Sequence, residues 1–346
     1  MKKPIACLIG IVLISVLILS TSCMGERKNL ENKGTEKNPI IMGFNPAESA
    51  EAIMLNADLL SKEIEKQTGF KIKTYVADSY SALVVALKSD YVDIAWLPSF
   101  AFVQAEQVAD AEVLLKAVRN GEPFYYGAIV VRNDSPIQNI DDLKGKTIAW
   151  ASETSTSGRL FPLAALIKKG IDPETYFSKE VVAGGHDSAL LAVYHGKVDA
   201  AATFSSDAEG TTGSWTQMLD EDKKDEIRAI FVTDPIPADT MSTSKKFHEK
   251  NPEVVAKIVE VVKNLNQTEE GRKLLKDLYN IEGMVDAVSA DYDPVRDAAR
   301  LLGIDIEGKR KEDKPIEKIE EIQKETPAAP EEKKENTEEN SDEKTG

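Results

Sequence analysis

The sequence predicts an α/β protein of two lobes, each a mostly parallel sheet flanked by helices, behind an export signal. Three observations carry this. Short apolar runs with strand character alternate with helical patterns; the alternation comes in two sets, near 39–120 and 136–235; and 346 residues is about the length of two domains. The 59 acidic against 43 basic residues give a net charge of −16, which argues against a phosphate-backbone partner such as nucleic acid. The three histidines (His186, His195, His248) and two cysteines show no metal-ligand spacing and no disulfide framework. Neither a metal nor a cofactor is expected.

Taken in order, the elements begin with an address. Met1-Lys2-Lys3 is a basic start, and Pro4 to Ser22 carries no charge before the chain reaches Cys23. This is the layout of a secretory signal, 1–22. Leu19-Ser20-Thr21-Ser22-Cys23 resembles a bacterial lipoprotein box with its leucine one place early, which makes Cys23 the lipidated residue. The competing reading is an uncleaved span, since the run is just long enough to cross a bilayer. The polar segment 23–38 reads as a flexible tether.

The body then alternates. Ile40–Asn45 is strand-like, Ser49–Thr68 helical with Gly69 closing it, Phe70–Val76 strand-like, Tyr80–Lys88 helical and Val92–Leu97 strand-like, with Pro98 opening a helix. Lys146–Ala151 precedes a helix from Thr156 to Lys169, Val181–Ala183 leads into a helix through Tyr194, and Val198–Phe204 is a further strand. The helical stretch Ser244–Gly303 is expected to pack back on the first lobe. Residues 307–346 are rich in Glu, Lys, Asn, Thr and Pro and carry no aromatic residue, so a disordered charged tail is predicted; its Ile316, Ile319 and Ile322 spacing admits a short helix.

Two segments carry chemistry. Ser152, Thr154, Ser155, Thr156 and Ser157 crowd the point where a strand enters a helix, more hydroxyls than one N-cap needs. Such a cluster at free backbone N–H groups suits an oxyanion. Gly184-Gly185-His186-Asp187 occupies a second strand end; His186 as an anion donor and Asp187 as a simple cap are equally compatible with the spacing. Tyr80, Tyr125 and Tyr126 fall at element ends, where tyrosines line clefts or merely pack.

The order of motifs resembles a known family. The carriers are Val92-Asp93-Ile94-Ala95-Trp96-Leu97-Pro98, Tyr125-Tyr126, Ile140-Asp141-Asp142-Leu143-Lys144-Gly145-Lys146, Thr154-Ser155-Thr156-Ser157-Gly158, Gly184-Gly185-His186-Asp187 and Pro235-Ile236-Pro237. Over about Pro39 to Ile304 they look like the phosphonate, phosphite and phosphate-binding proteins of ABC importers, of the type II periplasmic-binding-protein fold. The resemblance implies lobe 1 at 39–127 and 240–306, lobe 2 at 128–239, and crossovers near Ala128–Arg132 and Pro237–Thr243. It implies ligand contacts from Ser155, Thr156, Ser157, His186, Tyr80 and Tyr125, with Tyr126 in the adjacent register. Acidic residues serving amine-bearing ligands in the family fall near Ser206-Asp207 and Asp234 to Asp239, which makes Asp207 and Asp234 candidates. The implied partners are a small phosphorus oxyanion, an ABC permease and, through the lipid, a bacterial membrane facing the periplasm or exterior; a monomer is expected.

Two other classes compete. A binding lipoprotein could serve a membrane sensor instead of a permease. A secreted enzyme of the same fold is disfavoured because no Gly-x-Ser-x-Gly elbow, metal pair or cofactor loop occurs, and the hydroxyl segment lacks the Gly-Lys-Ser/Thr ending of a phosphate-binding loop.

Overall fold

The computed structural model describes residues 30–46 and 50–304, and the backbone of Glu317 and Lys318. The predicted signal, Cys23 and nearly all of the predicted tail lie outside the described residues. Two six-stranded sheets form the body. The first holds β1 (Ile40–Phe44), β2 (Ile72–Val76), β3 (Ile94–Leu97) and β4 (Ala111–Val118). The second holds β5 (Phe124–Arg132), β6 (Thr147–Trp150), β7 (Lys179–Val182), β8 (Ala200–Ser205) and β9 (Ile227–Pro237). The chain then returns to the first sheet as β10 (Thr240–Ser244) and β11 (Gly283–Asp286), and β12 (Glu317–Lys318) closes the second. The strand orders are β11-β4-β10-β3-β1-β2 and β12-β7-β6-β8-β5-β9.

The fold class is α/β as predicted, but the sheets are mixed. In the first, β1 pairs parallel with β2 and β3, while β10 and β11 run antiparallel to their neighbours. In the second, β6 pairs parallel with β7 and β8, while β5 is antiparallel to both β8 and β9. The antiparallel strands flank the two passages between sheets, where the chain arrives from the other lobe instead of through a helical crossover.

Those passages are Arg119–Pro123 and Ala238–Asp239. They run side by side, with Ala117 N donating to Asp239 O at 2.9 Å and Ala238 N to Pro123 O at 3.1 Å. The expected crossover at Ala128–Arg132 is displaced: Ala128–Val131 are buried within β5 and Arg132 ends it, and the turn Asn120-Gly121 ahead of the strand, with both residues at positive φ, makes the passage.

Helix 80–88 begins at Tyr80 because Ser79 Oγ accepts from Ala82 N at 3.1 Å. It lies so close to β1 that a Cβ on Gly43 would be 2.6 Å from Leu83 Cδ1 and 2.8 Å from Val92 Cγ1, so a larger residue here would push both side chains aside. The predicted tether also differs. Residues 30–38 fold onto the first sheet, because Leu30 is buried and Lys33 Nζ lies 2.6 Å from Asp93 Oδ2, with side chains 1% and 0% exposed. At the other end, Glu317–Lys318 pair parallel with β7, where disorder or a helix was expected.

Helices 252–264 and 269–279 bury Val255, Ile258, Val262, Leu275 and Leu278 with the first sheet. Helix 293–301 departs from the expectation that the whole C-terminal stretch packs on the first lobe. Its Val295, Ala298 and Ala299 share one apolar cluster with Phe100 and Phe102 of the first lobe and Leu160, Phe161 and Ala164 of the second.

Candidate ligand-binding cleft

Between the two sheets lies a cleft whose second-lobe wall is built at strand ends. After β6, Ser155 caps the next helix, its Oγ accepting from Gly158 N at 3.0 Å. The helix predicted from Thr156 opens with a π turn over Thr156–Leu160 before its α-helical part, Phe161–Lys168. The cause is local. Pro162 has no N–H to give Gly158 O, and that carbonyl instead accepts from Ala151 N at 3.2 Å. A Cβ on Gly158 would lie 2.5 Å from Ala151 Cβ and 3.1 Å from His186 Cε1, so only glycine lets this turn close on the histidine.

Ser155, Thr156 and Ser157 all face the cleft and all are buried. The acceptor sides of two are already engaged: Ser155 Oγ by Gly158 N, and Thr156 Oγ1 by Phe100 N of the first lobe at 3.0 Å. Each hydroxyl already accepts one bond and keeps its own O–H to donate. Tyr125 lines the same wall, with its hydroxyl close to Ser99 and Ser157. Burial pushes the phenols of Tyr125 and Tyr80 well above their ordinary range, with nearby Asp239 adding to both, so they remain protonated donors.

His186 begins helix 186–194 and is buried. Its Nδ1 lies 2.9 Å from Thr203 Oγ1, which in turn lies 2.6 Å from Ser214 Oγ. Burial pushes the imidazole down to about 4, only partly opposed by Asp187, so the ring is neutral at physiological pH. In the tautomer whose Nδ1 accepts from Thr203, Nε2–H is an uncharged donor. The wall is thus a set of donors without formal charge, at a helix start, suited to an oxyanion.

The cleft gathers Tyr80, Tyr125, Ser155, Thr156, Ser157 and His186 as the sequence predicts. Three predicted residues do not join them. Tyr126 follows Tyr125 in a strand and so points to the opposite face, edge-on to Phe124 at 6.0 Å. Asp207 closes a loop, accepting from Thr211 and Thr212; partial burial opposes its ionisation, but those bonds hold its carboxyl below the usual range. Asp234 is 70% exposed and pairs with Lys168 at 2.8 Å.

Sequence reading missed the opposite side. Arg119 and Asp239, one from each passage between lobes, line the cleft with Nη2 to Oδ2 at 2.9 Å. Tyr279 and Asn280 join them from the end of helix 269–279. The sequence signal was the Asn-Gly turn after Arg119, and Asp239 closes the acidic stretch from which Asp234 had been chosen. Among the described residues, no group of three His, Cys, Asp or Glu could hold a metal ion.

Comparison with known proteins bears on this geometry. The family model "ABC transporter, phosphonate, periplasmic substrate-binding protein" matches residues 42–292. The chain belongs to this family. Within reach of it, the phosphate-import protein PhnD of Mycolicibacterium smegmatis is 29% identical over 310 residues, 83% of this chain and 94% of that protein. The phosphonates-binding periplasmic protein of Escherichia coli is 28% identical over 222 residues, 63% of each. A Prochlorococcus marinus protein solved in complex with methylphosphonate superposes with a TM-score of 0.67 at 22% identity, covering 76% of this chain and 98% of that one, which shows the shared fold. As a family member the chain is a periplasmic substrate-binding protein of an ABC transporter, in the cell envelope.

Proposed function

We propose that this family member captures a small phosphorus oxyanion (phosphate, phosphite or a phosphonate) between its lobes and delivers it to an ABC permease while tethered through lipidated Cys23. The observation that carries the ligand reading is the second-lobe wall: buried hydroxyls whose acceptor sides are taken by backbone N–H groups, beside a neutral histidine. The named ligands of the relatives, phosphate and phosphonates, share the tetrahedral phosphorus–oxygen group such a wall fits. Capture proceeds by closure about the two paired passages, the ligand bridging both lobes and shifting the open-to-closed population.

The test is calorimetric titration with phosphate, phosphite and methylphosphonate, with sulfate as control. Wild type is expected to bind at least one phosphorus anion. Ser155→Ala and His186→Ala should each weaken it roughly ten- to a hundredfold, the worth of a hydrogen bond to a charged group. Unchanged affinity in both variants overturns the site. The tether is tested separately: Cys23→Ala should abolish fatty-acyl labelling and leave an uncleaved precursor, and continued acylation would refute it.

A further inference from the structure

We infer that the Arg119–Asp239 pair makes this cleft select oxyanions whose tail is neutral or negative, and reject those with a cationic tail. The inference rests on the oxyanion reading above. Among the described residues, Asp239 and Arg119 are the one carboxylate and the one cation lining the cleft. They hold one another: Arg119 Nη2 lies 2.9 Å from Asp239 Oδ2 and 3.3 Å from Tyr279 O. The arginine side chain is only 16% exposed, and its buried Nη1 has no hydrogen-bond partner among the described residues.

The position of the guanidinium gives the pair its meaning. Its Cζ lies 5.8 Å from the centre of the Tyr125 ring, and the hydroxyl of that ring lies close to Ser157. Arg119 thus adjoins the ring whose hydroxyl end borders the donor wall, and to its side we assign the tail of an anion held by Ser155, Thr156 and Ser157. A ligand ammonium arriving there meets a guanidinium, and Oδ2 of the carboxylate that would receive it is already engaged by that guanidinium. Like charges at such range in a water-poor cleft repel strongly. An uncharged alkyl tail incurs no such cost, and an acceptor atom on the tail satisfies the idle Nη1.

The pair also suits a binding protein mechanically. Arg119 and Asp239 come from the two passages between lobes, so the same contact that sets tail preference joins the segments about which closure occurs.

The experiment compares ethylphosphonate with 2-aminoethylphosphonate, which differ in the tail ammonium, by calorimetric titration of the full-length protein near pH 7.5. Wild type is expected to favour ethylphosphonate at least about tenfold. Arg119→Gln frees Asp239 and should erase or reverse that preference, whereas Asp239→Asn should keep or widen it. Equal or tighter binding of the amine by wild type overturns the inference without needing any variant to fold, as does an unchanged ratio in well-folded Arg119→Gln. If neither phosphonate binds, nor phosphate nor phosphite, the oxyanion reading itself falls and takes this inference with it. A bound anion with the wrong tail preference overturns only the role of the pair.

Discussion

The two walls of the cleft are built by opposite strategies. The second-lobe wall is nearly contiguous: Ser155, Thr156 and Ser157 follow one strand, and His186 begins the helix after the next. The facing wall is assembled from Tyr80, Arg119, Asp239 and Tyr279, residues scattered through the chain and brought together by the first sheet and the two passages. The first strategy uses local geometry, helix starts and caps, and needs only its own lobe to be correct. The second depends on long-range packing, so it is sensitive to changes far from the ligand.

The sharpest way to break that contrast is to loosen the frame of the first lobe. Asp93 is buried just ahead of β3, accepting from Lys33 Nζ at 2.6 Å and from Ile41 N at 2.8 Å. Lys33→Ala removes the cation and strands a buried carboxylate, a change that costs about 3–5 kcal/mol. Urea unfolding should show a loss of that order, although Lys33 does not line the cleft. A loss under about 1 kcal/mol would mean that the segment 30–38 is not part of the frame.

The contiguous wall has its own sensitivity, to acid. His186 titrates near 4 when folded and near its ordinary 6.5 when unfolded. Between those values the unfolded chain holds more protons, so unfolding is favoured as pH falls. The stability from a neutral His186 is thus complete above about 6.5 and is lost progressively down to about 4, a change of about 3 kcal/mol by linkage. Carboxylates contribute to acid unfolding as well, so the comparison is with His186→Gln, whose stability should fall less over that window. Parallel curves for the two proteins would show that the buried ring does not govern the response.

The same contrast explains what was legible in the sequence. Helix 80–88, most strands and six of the cleft residues followed from caps, apolar runs and the motif order, all of which are local. Tyr126 was ambiguous because adjacent residues alternate faces, and only the register of β5 against β8 and β9 decides which tyrosine faces inward. Asp207 and Asp234 were chosen by type and neighbourhood, but a carboxylate can equally cap a loop or meet a surface lysine, as these two do. Arg119 and Asp239 become neighbours only because two passages 120 residues apart in the chain run side by side. The mixed sheets had the same origin: no local pattern reveals that a strand arrives from the other lobe.

The smallest expected effect tests where the two walls touch. Helix 99–109 starts after Pro98, which offers no side-chain cap, and its Phe100 N–H is satisfied by Thr156 Oγ1 from the opposite lobe. Thr156→Val preserves the shape and removes the oxygen, leaving a buried N–H without its acceptor. The unliganded protein should lose about 1 kcal/mol, the usual worth of an N-cap, while Thr156→Ser should keep most of it because the oxygen remains. Denaturant unfolding of both variants without ligand reads the difference. Equal stability of the valine variant and wild type would show that the lobes meet here without net gain, and that the contact between the walls is left to the apolar cluster around helix 293–301.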